Sequence, residues 1–428
     1  MRADKYKPET LDAAIEGHTA SIEFFKDQPD KKSDMLFMEI SQKYLQRFQK
    51  AAKEGEFLIA SGGMLPSEIL VDMGIVPYLG LPMALRVGYF DANRHEMIDK
   101  SRVEGMPTGM CSAQNLWMGA ISMGLLPLPD VVLATSHVCD DGALQGPLIS
   151  SLLNVPTYRL DRPFYYSEDA LRYYVSELKA FIQFLEEKTK RKMDWDRLAE
   201  VVEYSRQANV LRAEIEELRK MVPSPMKNRD IFKLQIAEFF WCGHPESVEM
   251  CRVIRDELLD RVNKVRDDMT EEKLRIILMY FPPTYAIPIM KWWEKEWGAV
   301  SVAEPLFTIY PSNDYTLDPK NPMETLAKKE FMDGFANSQF RPGPQVAADC
   351  VRLAKEYQVD GGVWYAPHHC RGQNSMIKMV TDALKRVDVP TAVIDSDYVD
   401  SRYASEKILK EKTSLFFEIL NENKRQHG

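Results

Sequence analysis

The chain contains the sequence GGVWYAPHHC at residues 361–370, a short apolar run that passes directly into two histidines and a cysteine. A short run without charged residues is typical of a strand buried on both faces of a parallel sheet. A second run, VVLATSHVC at residues 131–139, has a similar form and also ends in a His-x-Cys motif. The two runs predict an α/β fold with two wound parallel sheets and a cysteine just past one strand of each.

Strand and helix patterns alternate on either side of a long helical region, which divides the chain into four segments. Residues 1–56 are predicted to form an N-terminal helical segment, whose polar beginning is expected to lie loosely on the surface. A first α/β domain covers residues 57–165, a helical region residues 166–272, and a second α/β domain with a C-terminal helix residues 273–428. Such alternation is the pattern of parallel sheets with helical crossovers.

The two α/β domains repeat the same order of features. After its His-x-Cys motif, the first has a predicted helix, then Val155-Pro156-Thr157 and a strand. After its own motif, the second has a predicted helix, then Val389-Pro390-Thr391 and a strand. The shared motif and the shared order favour an apparent duplication of one domain.

Length and composition limit the class of protein. A chain of 428 residues can form about two to three domains, and 45% hydrophobic with 28% charged residues is the composition of a globular protein. The net charge of −9 disfavours nucleic acid as a partner, and the basic run at residues 188–192 is flanked by acidic residues as in a solvated helix end. No apolar stretch reaches the 18 or so residues of a membrane span, and the N-terminus lacks the apolar core of a signal peptide, so we expect a cytoplasmic protein without membrane contact.

Six cysteines are too few for a disulfide scaffold, so metal or thiol chemistry is the better hypothesis. Cys139 and Cys370 follow strands, at the edge where wound sheets bind ligands, and Cys111 lies in a glycine-bearing loop that enters a helix, where the dipole favours a thiolate. Three such thiolates would be an incomplete set for zinc or three ligands of a 4Fe-4S cluster with one open iron. The alternative is that they are buried packing residues. We adopt that interpretation for three others, which lie in helical or aromatic surroundings: Cys242, Cys251 and Cys350.

The histidines of the two motifs are candidates for a supporting role. His137 and His368 could bind metal, act as acids or orient a substrate carbonyl, although a strand-end histidine bonded to nearby backbone is more common. The sequence has neither a P-loop motif nor a strand-borne G-x-G-x-x-G motif. If ATP supplies energy to this protein, a partner must hydrolyse it.

Several ordered segments resemble one family. The sequence has LPSEILVDMGIVP at residues 65–77, Cys111-Ser112, LPDVV at residues 128–132 before Cys139, DPKNP at residues 318–322 with TLA at residues 325–327, Cys370, and DSDYVDSRY at residues 395–403. Together they resemble the component D subunits of 2-hydroxyacyl-CoA dehydratases and the related benzoyl-CoA reductase core subunits. The resemblance runs from about residue 57 to the C-terminus.

The resemblance implies a fold, a cofactor and partners. Subunits of that family pair, each has two α/β domains with a helical portion, and three cysteines hold a 4Fe-4S cluster, which here maps to Cys111, Cys139 and Cys370. A separate ATP-hydrolysing iron-sulfur activator supplies one low-potential electron. In the dehydratases this electron converts a 2-hydroxyacyl-CoA thioester to a ketyl radical, so that hydroxide leaves and a very weakly acidic proton is lost.

The sequence departs from the family pattern around Glu68, itself a candidate for orienting substrate. Dehydratase subunits that hold substrate tend to carry a hydroxyl residue before the Pro-x-Glu segment and a carboxylate after the next strand. Here those positions have Gly63-Met64 and Gly80-Leu81-Pro82, with Ser61 nearby. These differences allow an electron-relay subunit of a heterodimer, or a different reaction.

Three functional hypotheses follow. The first is an iron-sulfur subunit of a 2-hydroxyacyl-CoA dehydratase (a lyase) or an aryl-CoA reductase (an oxidoreductase), paired with a homologous second subunit. The second is a homodimeric reductase of small molecules with a double-cubane cluster. The third is a non-catalytic binding or scaffold subunit whose cysteines are packing residues.

Overall fold

The computed structural model describes residues 6–28, 31–62, 65–91, 94–136, 139–263, 271–307, 317–332 and 342–427. The chain divides into two compact units. The first comprises Met1–Leu211, Lys233–Val253 and Ser312–Met332, and the second comprises Arg212–Phe232, Ile254–Pro311 and Asp333–Gly428.

The first unit contains a four-stranded, wholly parallel sheet. Its strands are β1 (Ile59–Ser61), β2 (Tyr78–Leu79), β3 (Val131–Thr135) and β4 (Thr157–Leu160), in the order β2-β1-β3-β4. Every residue of β3 is buried, in agreement with its uninterrupted apolar sequence.

The second unit contains a sheet of the same topology. Its strands are β5 (Leu274–Leu278), β6 (Ala299–Ala303), β7 (Gly361–Pro367) and β8 (Thr391–Ser396), all parallel, in the order β6-β5-β7-β8. Each sheet therefore places its third strand beside its first and its second at an edge. This repetition confirms the predicted α/β fold of two wound sheets and agrees with an apparent duplication.

Helices connect the strands and follow one another along the chain. The first eight lie in the first unit: α1 (Glu9–Phe25), α2 (Lys32–Glu54), α3 (Ser67–Asp72), α4 (Gly80–Asp91), α5 (Arg94–Val103), α6 (Ser112–Ser122), α7 (Asp140–Leu153) and α8 (Glu168–Thr189). The chain passes between the units within α9 (Trp195–Arg219), α10 (Asp230–Trp241) and α11 (Pro245–Asn263). The remainder are α12 (Ile289–Trp292) with a π-helical turn (Trp293–Trp297), α13 (Pro322–Met332), α14 (Gly343–Glu356), α15 (Arg371–Asn374), α16 (Ile377–Lys385) and α17 (Glu406–His427). None of the helices in the described ranges has a segment long and apolar enough to cross a bilayer.

Helix α8 illustrates how local sequence determines these elements. Ser167 caps its N-terminus by accepting a hydrogen bond from the backbone N–H of Ala170, and two acidic residues in its first turn complement the helix dipole. Five residues that repeat at helical spacing form its apolar stripe, and all are buried: Leu171, Tyr174, Leu178, Phe181 and Leu185. Lys190, in the left-handed conformation at φ 60°, ends the helix.

The N-terminal segment differs from the expectation of a loose beginning. Residues 9–25 form helix α1, which packs on α2 and buries Leu11, Ala14 and His18. The apolar positions are few and are interrupted by acidic residues, so the helical stripe is weak in the sequence. The α2 helix, in contrast, has apolar residues at regular helical spacing, and Ile40, Tyr44 and Phe48 among them are buried.

Strand β2 covers only the end of an apolar run that begins at Ile75. Pro77 has no backbone N–H to pair, and the N–H of Ile75 bonds the carbonyl of Leu70 at the end of α3. Only Tyr78 and Leu79 therefore pair with β1.

An aromatic core supports the second sheet. The ring of Trp293 contacts Tyr365 of β7 and Phe417 of α17, with centroid distances of 6.1 and 5.3 Å. The hydroxyl of Tyr365 lies 3.0 Å from that of Thr413, so this buried phenol has a hydrogen-bond partner. This packing fixes β7, the strand that precedes Cys370.

Helices α5 and α6 pack so closely that Gly119 has no room for a side chain. A Cβ atom there would lie 1.7 Å from the carbonyl oxygen of Met97. We predict that Gly119→Ala lowers the free energy of unfolding by about 1–3 kcal/mol, as overpacking outweighs the better helix propensity of alanine. Urea unfolding of the full chain measures this change.

The matched control is Gly109→Ala, where a Cβ atom would meet nothing within 4 Å. We expect it to change the free energy of unfolding by less than about 0.5 kcal/mol. Equal effects of the two substitutions would contradict the described packing of α5 on α6.

Candidate functional site

Cys139 lies just past β3, at the carboxyl edge of the first sheet, and is the N-cap residue of α7. Its sulfur accepts a hydrogen bond from the backbone N–H of Gly142 at 3.2 Å. The N–H and the positive end of the helix dipole both favour negative charge on this sulfur. The side chain is half-buried, so the sulfur remains partly accessible.

Cys111 is the N-cap residue of α6 and is also half-buried. Its backbone N–H donates to the Asp141 carboxylate at 2.8 Å. Asp141 is buried in the first turn of α7, two positions after Cys139. This bond ties together the two cysteine-bearing loops of the first unit.

Cys370 occupies the corresponding position in the second unit, just past β7 and at the N-cap of α15. It is buried, and its backbone N–H donates to the carbonyl of Pro367 at 3.0 Å. Helix α15 has four residues, so its dipole is weaker than that of α7. The positions of Cys139 and Cys370 after equivalent strands match the expectation from the repeated motif.

Of the two motif histidines, only His368 lies within the described residues. His137 lies outside the described residues. His368 is exposed, its backbone N–H donates to the carbonyl of Ser396, and its ring stacks on Tyr403 at a centroid distance of 4.7 Å. The Nε2 atom of His369 lies 2.7 Å from the Tyr403 hydroxyl oxygen. An aromatic group thus flanks the Cys370 loop.

The three predicted ligands are divided between the units, with Cys111 and Cys139 in the first and Cys370 in the second. All three are cysteine thiols rather than halves of disulfides, and each occupies the N-cap position of a helix. Thiolates are the donors that iron-sulfur clusters take, so the donor chemistry fits such a group. Within the described ranges, no group of three or more His, Cys, Asp or Glu side chains is placed to hold a metal ion.

The other three cysteines are buried, as predicted. Cys251 lies in α11 and Cys350 in α14. Cys242 directly follows α10, but its surroundings are polar rather than apolar, because it belongs to a set of buried side chains that we call the Glu68 cluster: Glu68, Ser205, Cys242 and Lys329.

The Glu68 cluster lies wholly in the first unit and centres on one carboxylate oxygen. Glu68 Oε1 accepts from Lys329 Nζ at 2.8 Å, from Ser205 Oγ at 2.9 Å and from Cys242 Sγ at 3.2 Å. Lys329 Nζ also donates to Cys242 Sγ at 3.1 Å. The carboxylate, ammonium and thiol are therefore mutually in contact.

The pKa values of Glu68 and Cys242 are shifted in opposite directions. Burial acts to raise the pKa of Glu68, but the charge of Lys329 and its hydrogen bond outweigh burial, so the net pKa lies below the ordinary value of 4.5. Burial, followed by the charge of Glu68, raises the pKa of the Cys242 thiol to about 12. At neutral pH the thiol is protonated and the carboxylate is charged.

A small cavity of about 10 Å³ adjoins the cluster. It is lined by Leu65, Ser67, Leu79, Glu238, Phe239, Cys242 and Lys329. This volume is near the minimum for a single water molecule and cannot hold an acyl group. Glu68, which the sequence suggests as a substrate-orienting residue, is placed by the structure in a buried ion pair.

Sequence reasoning missed the partners of Glu68. Lys329 lies two residues after the TLA segment at residues 325–327, so the family motif ended just before it. Cys242 was interpreted as packing because aromatic residues precede it. Glu238, which comes directly before the aromatic residues that precede Cys242, was the one sign in the sequence that this segment has polar surroundings.

This arrangement defines a class: two parallel-sheet units of one topology, each with a cysteine at a helix N-terminus just past its third strand. The family model of the 2-hydroxyglutaryl-CoA dehydratase D-component matches residues 63–420. The chain belongs to this family.

Its relatives include subunits of both a reductase and dehydratases. The chain is 26% identical over 318 residues to a benzoyl-CoA reductase subunit of Thauera aromatica, a match covering 70% of this chain and 72% of that one. It is 23% identical over 262 residues to the (R)-phenyllactyl-CoA dehydratase alpha subunit of Clostridium sporogenes, covering 59% of this chain and 64% of that one. It is 24% identical over 224 residues to the lactoyl-CoA dehydratase alpha subunit of Anaerotignum propionicum, covering 47% of this chain and 53% of that one.

The bond between Asp141 and the Cys111 loop can be tested by thiol labelling. We predict that Asp141→Ala increases the alkylation rate of Cys111 several-fold, because the loop loses the acceptor for its backbone N–H. Mass spectrometry of the labelled peptides measures this rate. The control is Asp140→Asn at the exposed neighbouring position, which keeps the Oδ1 atom that accepts from the Asp141 backbone N–H and should leave the rate unchanged. Equal rates in both variants would contradict the described contact.

The Glu68 cluster predicts a pH-dependent stability. Removing one partner of a buried ion pair typically costs about 3–5 kcal/mol, so Glu68→Gln should lower the free energy of unfolding by about that amount at neutral pH. Because the pKa of Glu68 is lowered in the folded state, its contribution is present above 4.5 and is lost as the pH falls below that value. The difference in the free energy of unfolding between wild type and variant, measured by urea unfolding, should therefore become smaller in acid.

The matched control is Glu203→Gln, which removes a half-exposed ion pair with Arg206. We expect that substitution to cost less than about 1 kcal/mol. A difference between wild type and Glu68→Gln that stays constant from neutral to acid pH would show that the Glu68 charge contributes no net stability.

Proposed function

We propose that this chain is an iron-sulfur subunit of an enzyme of the 2-hydroxyacyl-CoA dehydratase or benzoyl-CoA reductase type. The family match over residues 63–420 supports the enzyme class. The observation that carries the assignment is the presence of cysteine thiols at the N-caps that follow β3 and β7. Both a lyase and an oxidoreductase are represented among the relatives, so the proposal covers either reaction.

The proposed ligands are Cys111, Cys139 and Cys370, which would hold a 4Fe-4S cluster through three thiolates. Such a cluster, when bound, supplies a low-potential electron that makes a radical from a CoA thioester. The dipoles of α6 and α7 favour thiolates at Cys111 and Cys139, and the Asp141 carboxylate fixes the Cys111 loop. His137 and His368 are proposed to support the site rather than to bind iron.

We propose two protein partners. The relatives are themselves named as subunits, which supports a homologous second subunit or a second copy of this chain. An ATP-dependent iron-sulfur activator would supply the electron, because the sequence has no P-loop motif.

A variant of this proposal assigns the CoA thioester to the partner subunit and electron relay to this chain. The cavity beside Glu68, of about 10 Å³, favours this variant because it is too small for an acyl group. The sequence favours this variant as well. Substrate-holding subunits tend to carry a hydroxyl residue and a carboxylate in the two neighbourhoods where this chain has Gly63-Met64 and Gly80-Leu81-Pro82.

Anaerobic purification tests the ligand assignment. We predict a brown protein with about four irons per chain, and Cys111→Ser, Cys139→Ser and Cys370→Ser should each lose most of this iron. The control is Cys350→Ser, a fully buried cysteine in α14 that should keep its iron. Iron is measured against protein, with circular dichroism to verify folding.

Two outcomes would contradict the proposal. One is a colourless, fully folded wild-type protein, and the other is equal iron loss in Cys350→Ser and the three ligand variants. A count of about eight irons per chain would replace the single cubane with the double-cubane reductase.

A further inference from the structure

The Glu68 cluster has a chemical feature that the proposed function does not use. The Lys329 amine and the Cys242 thiol lie 3.1 Å apart, and Glu68 Oε1 contacts both. Ser205 donates to the same carboxylate oxygen, which holds Glu68 in place. All four side chains are less than 10% exposed, so their mutual geometry is restricted by packing.

We propose that Lys329 and Cys242 form a covalent nitrogen-oxygen-sulfur bridge when the protein is exposed to dioxygen. The proposal is independent of the iron-sulfur assignment, since it uses none of its residues. The structure thereby assigns this pair as an oxidative modification site.

The reaction balances with dioxygen as the oxidant. As the bridge forms, the Lys329 ammonium gives up one proton to the Glu68 carboxylate, which accepts its hydrogen bond at 2.8 Å. One N–H bond of the amine and the S–H bond then break, and N–O and O–S bonds form. Nitrogen and sulfur lose two electrons each, dioxygen gains four, one oxygen atom stays in the bridge and the other leaves as water with the two hydrogens.

Geometry favours this product over a direct nitrogen-sulfur bond. The two atoms lie 3.1 Å apart, and an inserted oxygen atom spans most of this separation, whereas a direct bond requires a larger movement within packed surroundings. The bridge also leaves Glu68 protonated and removes the cation, so no unpaired charge stays buried.

Access and reactivity determine how fast the bridge forms. The cavity of about 10 Å³ is lined by both Cys242 and Lys329, so an oxidant that enters there meets both reacting side chains. The pKa of the thiol is raised to about 12 by burial, so the reactive thiolate is scarce and the reaction should be slow. Once formed, the bridge would join α13 to the residue that follows α10.

The test compares the full chain before and after air exposure. Protein purified anaerobically is divided, one part is exposed to air, and both are digested without reductant and analysed by mass spectrometry. We expect a linked peptide containing Lys329 and Cys242 only after exposure, heavier by one oxygen and lighter by two hydrogens than the separate peptides. Heavy-isotope dioxygen should label it, and a thiol reductant should reverse it.

Two variants provide the matched comparison. Lys329→Arg keeps a cation beside Glu68 but has no primary amine, so the linked peptide should disappear, whereas Lys328→Arg at the neighbouring position should retain it. If Lys329→Arg fails to fold, the wild-type comparison alone decides. Absence of the linked peptide in air-exposed wild type, or a linked peptide without the added oxygen, would overturn the proposal.

Discussion

Parallel strand pairing is the constraint on which the rest of this structure depends. Parallel neighbours need crossover connections, so all strands of a sheet end at the same edge and the helices that follow them begin there. Because both sheets have the same order, the residues after β3 and β7 occupy equivalent positions. Cys139 and Cys370 are therefore placed by topology, and each occupies the N-cap position directly before a helix.

Each unit also contains a buried network of charges, and the two networks differ in their chemistry. In the second unit Arg219 pairs with Glu216 and Glu304, and Tyr357 donates to Glu216 at 2.7 Å. Such a network holds its side chains in fixed positions, and it contains neither a thiol nor a primary amine. The Glu68 cluster of the first unit contains a thiol beside an amine, which gives that network a reactivity the second one lacks.

The sequence was informative where local patterns determine structure and uninformative where distant segments meet. Uncharged apolar runs predicted β3 and β7, and the glycine-bearing loop before α6 predicted Cys111 at a helix start. Helix α1 was underestimated because its apolar stripe is sparse. Lys329 and Glu68 are 261 positions apart, and no local pattern indicates that α13 packs beside α3. The pairing of that lysine with Cys242 therefore required the tertiary structure.

We propose that three cysteines of this chain hold one iron-sulfur cluster. Native mass spectrometry of the anaerobically purified chain tests it most directly, because the cluster adds a defined mass to a folded protein. We expect a mass excess equal to about four irons and four sulfides per chain. A folded chain that carries only the mass of its own residues under anaerobic conditions would contradict it.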